Sequence, residues 1–139
     1  MAGYRVSRSA TAERIQYSEL SDLQVLIGDE QQSTPIRIGV QTCQPGYVVP
    51  IHSHPYIEYL VVLEGSAEFQ IESNGTQVVA LGPGDAVELH PEVWHAFKTD
   101  PEHVTRLMGI HVSSKRIVNY KSGIKTDSRG FRTHDTAQT

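Results

Sequence analysis

His52 and His54 are separated by one residue, Glu58 follows four positions after His54, and His95 stands downstream after Trp94. In an extended chain, residues i and i+2 point to the same face. Their Cα atoms lie about 6 to 7 Å apart at a rise of roughly 3.3 Å per residue, so both imidazoles reach one ion. Pro55 breaks the strand and turns the chain ahead of Glu58. Three imidazoles and one carboxylate make a mixed nitrogen and oxygen site suited to a borderline divalent metal: Fe2+, Mn2+, Ni2+, Cu2+, Co2+ or Zn2+. Such a set leaves open positions on the ion, which can then polarise a carbonyl, stabilise an enolate or activate oxygen. No nucleophilic serine or cysteine arrangement competes with this chemistry. No glycine-rich phosphate loop of the P-loop or dinucleotide kind is present either.

Strands must position these residues. Ile36, Ile38 and Val40 alternate with Arg37, Gly39 and Gln41, the period-two signal of a strand. After the turn at Pro45-Gly46, residues 48 to 54 form a second extended piece carrying both histidines. Residues 57 to 63 are apolar on both faces after Glu58, as in a buried strand. Ala67, Phe69 and Ile71 alternate with charged or amide residues, and Asn74-Gly75 is a hairpin turn, since both residues tolerate positive φ. Further strands are expected at residues 78–81, 86–89, 94–98 and 104–112, with a turn at Gly82-Pro-Gly-Asp85. Residues 35–112 show no convincing helical periodicity, and short strands with turns every eight to twelve residues mean a sandwich or barrel. Leu23, Val25 and Ile27 suggest one strand in an otherwise polar segment, residues 1–34. Residues 113–139 form a basic tail, expected to be irregular or a short helix.

With 139 residues the chain is most simply one domain with a real core. No apolar run approaches the ~20 residues of a membrane helix, and the first ten residues lack the apolar core of a secretory signal. Cys43 is the only cysteine, which rules out an internal disulfide and fits a cytoplasmic location. Residues 1–112 carry six basic and fourteen acidic side chains, a balance of −8, whereas residues 113–139 carry six basic against two acidic, a balance of +4. An acidic body argues against nucleic acid as the main partner. The simplest place for the tail is on its own acidic body or on a neighbouring subunit.

The spacing Gly46-x5-His52-x-His54-x3-Glu58-x6-Gly65 resembles the complete first motif of the cupins. Gly84-Asp85 through His95 resembles the second motif, with His90 and Glu92 in place of its usual proline and glycine, and Thr99 where an asparagine often closes it. The resemblance implies a single all-β domain, a jelly-roll β-barrel with a metal inside. It carries His52, His54, Glu58 and His95 over as the four ligands. It also implies a homodimer, since single-domain cupins often pair through their sheets.

Other side chains are candidates for the cavity. His111 shares strand phase with Leu107 and Gly109 and becomes a possible acid or base if that face looks inward. Tyr47, Tyr56, Phe97 and His90 are candidates for the substrate pocket, with core packing the simpler role for the aromatics. Arg106 is a candidate anion anchor, although an outward salt bridge is the simpler reading. His103 and His134 are expected on the surface. The leading expectation is a metal-dependent enzyme acting on a small organic molecule, of Fe2+ dioxygenase type. The alternatives are a non-redox isomerase, lyase or polyketide cyclase on the same metal, and a non-catalytic cupin that only binds a small ligand. A DNA-binding sensor is disfavoured, because neither terminus offers a helix-turn-helix pattern.

Overall fold

The structure, a computed structural model, describes residues 3–132. His134 lies outside the described residues. The strands are β1 (Arg14–Ser18), β2 (Ser21–Ile27), β3 (Arg37–Cys43), β4 (His52–Ser53), β5 (Glu58–Glu64), β6 (Ala67–Glu72), β7 (Thr76–Leu81), β8 (Ala86–Leu89), β9 (His95–Thr99), β10 (Thr105–His111) and β11 (Asn119–Tyr120). They form two antiparallel sheets, one in the order β1-β2-β3-β10-β5-β8 and the other in the order β11-β4-β9-β6-β7. This is the all-β jelly-roll arrangement that the resemblance implies, and it agrees with the sandwich or barrel expected from the strand and turn pattern. No helix occurs among the described residues, so none is long and apolar enough to cross a membrane.

The alternating apolar residues of both sheets meet between them. Leu60, Val62, Phe69, Leu89, Phe97 and Leu107 are buried there with Tyr47 and Cys43. Along β10 the inward phase runs Thr105, Leu107, Gly109, His111, so the strand passes from the core into the functional end of the barrel. Asn74 and Gly75 both take positive φ, 53° and 89°, and turn β6 into β7 as expected.

Three expectations change. Residues 1–34 contain two strands rather than one, because β1 pairs with β2; the polar sequence of β1, Arg-Ile-Gln-Tyr-Ser, hides an edge strand. The stretch from residue 48 to 54 is extended, but only His52–Ser53 forms a strand, with one isolated bridge at Val48. The tail holds no helix in its described part. It runs back along the body, adds β11 beside β4, and places Arg129 on Glu13 at 2.9 Å and Lys121 on Glu72 at 2.9 Å.

The replaced glycine of the second motif is a feature of the fold. Glu92 adopts φ 69°, the left-handed conformation that a glycine would take without cost. This bend aims its N–H at the carbonyl of His54, 2.8 Å away, and so ties the second motif to the first. Gly65 faces a different limit: it has φ 78°, and a Cβ there would lie 2.6 Å from the Val104 carbonyl oxygen. Relief of the left-handed strain at exposed Glu92 is worth about 1 kcal/mol, partly offset by the greater freedom of glycine in the unfolded chain. Glu92→Asn avoids that offset and is expected to raise stability by about 0.5 to 1 kcal/mol in chemical denaturation. A loss of stability in this variant counts against the bend being strained.

Candidate metal centre

Each histidine of the cluster is oriented by a main-chain carbonyl. His52 on β4 sends Nδ1 to the Pro50 carbonyl at 2.8 Å, and His95 on β9 sends Nδ1 to the Val93 carbonyl at 2.9 Å. His54, just past β4, sends Nδ1 to the Ile117 carbonyl at 2.7 Å. A carbonyl oxygen only accepts, so all three Nδ1 atoms carry the hydrogen and all three Nε2 atoms present a bare lone pair. Register completes the set: His52 pairs with His95 across β4 and β9, and Glu58 opens β5. One ligand atom from each of His52, His54, Glu58 and His95 lies within 4.8 Å of every other, and all four residues are buried.

These contacts fit a cation. Nε2 of His54 lies 3.1 Å and Nε2 of His95 3.3 Å from Glu58 Oε1. With the hydrogens on Nδ1, these are lone pairs facing a carboxylate oxygen. Nε2 of His95 is fully buried with no hydrogen-bond partner, a costly state for a polar atom unless something binds it. Ligand atoms spaced this closely suit a single ion at the usual distance of about 2.0 to 2.2 Å for nitrogen and oxygen ligands. The cluster is therefore suitable for one divalent metal. The carbonyl anchors supply the outer contacts that fix ring orientation in such sites.

His111 faces inward and stands directly across from Glu58 on β10. Its Nε2 donates to Glu58 Oε2 at 2.8 Å, while the Tyr56 hydroxyl lies 2.6 Å from its Nδ1. The Ile117 N–H donates to the same hydroxyl at 3.1 Å. Burial lowers the His111 pKa to about 4 despite the neighbouring carboxylate, and burial pushes the Tyr56 phenol up to about 12. At neutral pH the relay is therefore Tyr56 O–H to His111 Nδ1, and His111 Nε2–H to Glu58. Burial alone would raise the Glu58 pKa, but attraction to His111 and the hydrogen bond His111 donates hold it well below the usual carboxylate value. Burial, then the neighbouring His95 and His54 rings, pushes His52 well below the ordinary imidazole value.

The site opens on a cavity of about 70 Å3 whose lining includes His52, His54, Glu58, Leu60, Phe97 and His111. Gly109 faces the same cavity, and a Cβ there would come within 3.7 Å of Glu58 Oε2. Of the expected pocket residues, Phe97 lines the cavity, whereas Tyr56 sits behind it as the partner of His111. Tyr47 is outside the cavity lining, fully buried in the core with its hydroxyl on Arg132. His90 turns to solvent and pairs with Glu88 at 2.6 Å, because the residue after β8 continues its outward phase. Arg106 has the opposite strand phase from His111 and does not reach the cavity; His103 is exposed beside Asp100. Ile117, Val118, Tyr120 and Arg116 were not legible as site residues. The charge and irregularity of the tail gave no periodic signal, and a main-chain carbonyl leaves none.

Because His52 and His111 are neutral when folded but take protons near pH 6.5 when unfolded, acid favours the unfolded chain. Metal-stripped protein is expected to lose stability steadily as pH falls from about 6.5 towards 4. Metal binds only the folded state and needs neutral imidazoles, so the loaded protein melts higher at pH 7 and releases its ion in the same acid range. Melting curves with elemental analysis on the same samples check both. Equal melting temperatures for loaded and demonstrably emptied protein at pH 7 contradict the assignment.

Comparison with known proteins agrees with this geometry. Acireductone dioxygenase from Phaeosphaeria nodorum is 29% identical over 83 residues, covering 58% of this chain and 47% of that protein, so the chain spans about half the length of this curated relative. The polyketide cyclase RemF from Streptomyces resistomycificus superposes with TM-score 0.71 at 18% identity, over 91% of this chain and 89% of that one. An RmlC-like cupin from Shewanella frigidimarina superposes with TM-score 0.69 at 18% identity, over 82% and 94%. At these identities the two structures are similar in fold alone. The cupin domain family matches residues 39–111, more than half of the sequence and the part that holds all four clustered residues, and the chain belongs to that family.

Proposed function

We propose that the protein is a metal-dependent enzyme acting on a small organic molecule, with His52, His54, Glu58 and His95 as ligands and Fe2+ as the favoured ion in a dioxygenase-type reaction. The observation that carries it is the set of three imidazoles, each pinned through Nδ1 to a carbonyl and turned with Glu58 onto one point in a cavity. Bound there, the metal supplies Lewis acidity and, as Fe2+, redox chemistry. The dioxygenase reading is supported by similarity to acireductone dioxygenase. A cavity of about 70 Å3 supports a small substrate, since one water needs about 10 to 15 Å3 by the same measure. Leu60, Val49 and Phe97 keep water low around the site and strengthen its electrostatics. In this reading, His111 is a positioning residue. Both its nitrogens are engaged, and it holds Glu58 in place rather than trading protons with substrate. A cytoplasmic homodimer belongs to the same proposal and is open to sedimentation analysis.

Protein loaded separately with Fe2+, Mn2+, Ni2+ and Zn2+ tests the chemistry, with oxygen uptake and product formation followed over a panel of small enolisable and aromatic substrates. Turnover with oxygen uptake confined to Fe2+ is expected. Turnover with Zn2+ or Mn2+ and no oxygen uptake replaces the dioxygenase with the isomerase, lyase or cyclase type. Ligand binding without turnover in any form gives the non-catalytic binder. His52→Ala is expected to abolish turnover in a folded barrel. His111→Phe keeps the ring and removes both nitrogens; metal affinity is expected to fall by about 10- to 100-fold. Unchanged metal affinity in that variant removes the positioning role.

A further inference from the structure

The cavity mouth carries two cationic side chains that the metal site does not use. Arg37 on β3 and Arg116 in the tail both line the cavity that contains His52, His54 and Glu58, and both also line a wider outer vestibule of about 660 Å3. They therefore stand where the outside meets the metal end. Neither has a carboxylate partner among the described residues. Arg37 donates through Nη1 to the main-chain carbonyls of Asp29 at 3.2 Å and Ser114 at 3.4 Å; Arg116 donates through Nε to the Gly130 carbonyl at 3.2 Å and lies over the Phe131 ring.

The acidic groups of the vestibule are already engaged. Glu13 and Glu30 are taken by Arg129, and the Asp29 carboxylate is held by Ser33. Two glycines make room for the arginines. A Cβ on Gly28 would lie 3.1 Å from the Arg37 guanidinium carbon, and one on Gly130 would collide with the Arg116 backbone. Partial burial and then the charge of Arg116 lower the Arg37 pKa from its ordinary value, as expected of like charges near each other. Two half-buried guanidiniums on one mouth repel each other, and an anion between them removes that cost.

We infer that Arg37 and Arg116 form an anion anchor at the cavity mouth, and that the substrate is a small carboxylic acid held there by its carboxylate while its other end reaches the metal. This rests on the metal-enzyme reading for the second half only; the anion anchor stands on the arginines themselves. An arginine fork suits a planar carboxylate in two-point contact, and charge-assisted bonds of this kind are strong when partly shielded from water.

Calorimetric titration with malonate, succinate and glutarate, each beside its uncharged diamide, tests the anchor on metal-free and Co2+-loaded protein. On metal-free protein a dicarboxylate is expected to bind at least about tenfold tighter than its diamide. Arg37→Gln and Arg116→Gln are each expected to weaken it about 10- to 100-fold, while Arg37→Lys, which keeps charge and bulk, retains part of the affinity. On Co2+-loaded protein the same acids are expected to change the visible absorption of the ion, and the arginine variants to show the unchanged cobalt spectrum before ligand is added. Dicarboxylate and diamide binding alike, or equal affinity in the wild type and both glutamine variants, overturns the anchor. Absence of a protein-bound Co2+ spectrum in the wild type overturns the metal reading instead, and the metal-free titration then decides the anchor alone.

Discussion

The site depends on one constraint: three buried histidines must each spend Nδ1 on a main-chain carbonyl so that Nε2 stays bare. A free imidazole has two tautomers and a rotating ring. The carbonyls of Pro50, Val93 and Ile117 remove that freedom before any ion arrives. The cost is a buried cluster of lone pairs around Glu58 that a core of this kind tolerates poorly without a cation. The strand ends, the turn at Pro55 and the bend at Glu92 can all be understood as means of holding these carbonyls in place.

Glu58 joins the two halves of the arrangement. Oε1 faces the histidine nitrogens and Oε2 accepts from His111, whose other ring nitrogen accepts a hydrogen bond from the Tyr56 hydroxyl. The carboxylate is thus held from one side by neutral donors and offered to the metal side with its charge intact. Ile117 links the parts again: its carbonyl fixes His54 and its N–H fixes Tyr56. A single residue of the tail therefore orients one ligand and supports the residue behind another.

The four clustered side chains were legible because their spacing has a simple strand meaning. His52 and His54 share a face by period two, and the glycines around them mark the turns that end the strands. β3 and β6 announced themselves by alternation and β5 by its apolar run, whereas β4 is a short paired piece of a longer extended segment that is mostly unpaired. The edge strand β1 was not legible, since an edge needs little apolar sequence and its pairing is made by β2. The inward direction of His111 was open until the register with Glu58 was known, because strand phase says which residues share a face and not which face is inside. His90 was a pocket candidate from its place in the loop before Trp94, yet it continues the outward phase of β8 and pairs with Glu88. The tail escaped because its contributions are the main-chain atoms of Ile117 and the scattered side chains of Arg116, Val118 and Tyr120, which have no periodic signature.

These origins divide the labour within the chain. The clustered histidines and Glu58 all fall inside residues 39–111, the part shared with the family, and so does the cavity floor of Leu60, Phe97 and Gly109. The mouth, where this cavity meets the outer vestibule, is built from outside that stretch: Val25 and Arg37 come before it, and Arg116 comes after it. A fixed metal floor under a mouth made of other segments lets one barrel host different chemistries, because the floor sets what the ion can do and the mouth sets what reaches it. Binding energy gathered at the mouth can be used to orient a substrate over the metal without disturbing the ligands. In this chain the mouth is cationic on an acidic body. Arg37 and Arg116 thus put positive charge where the outer surface meets the buried centre.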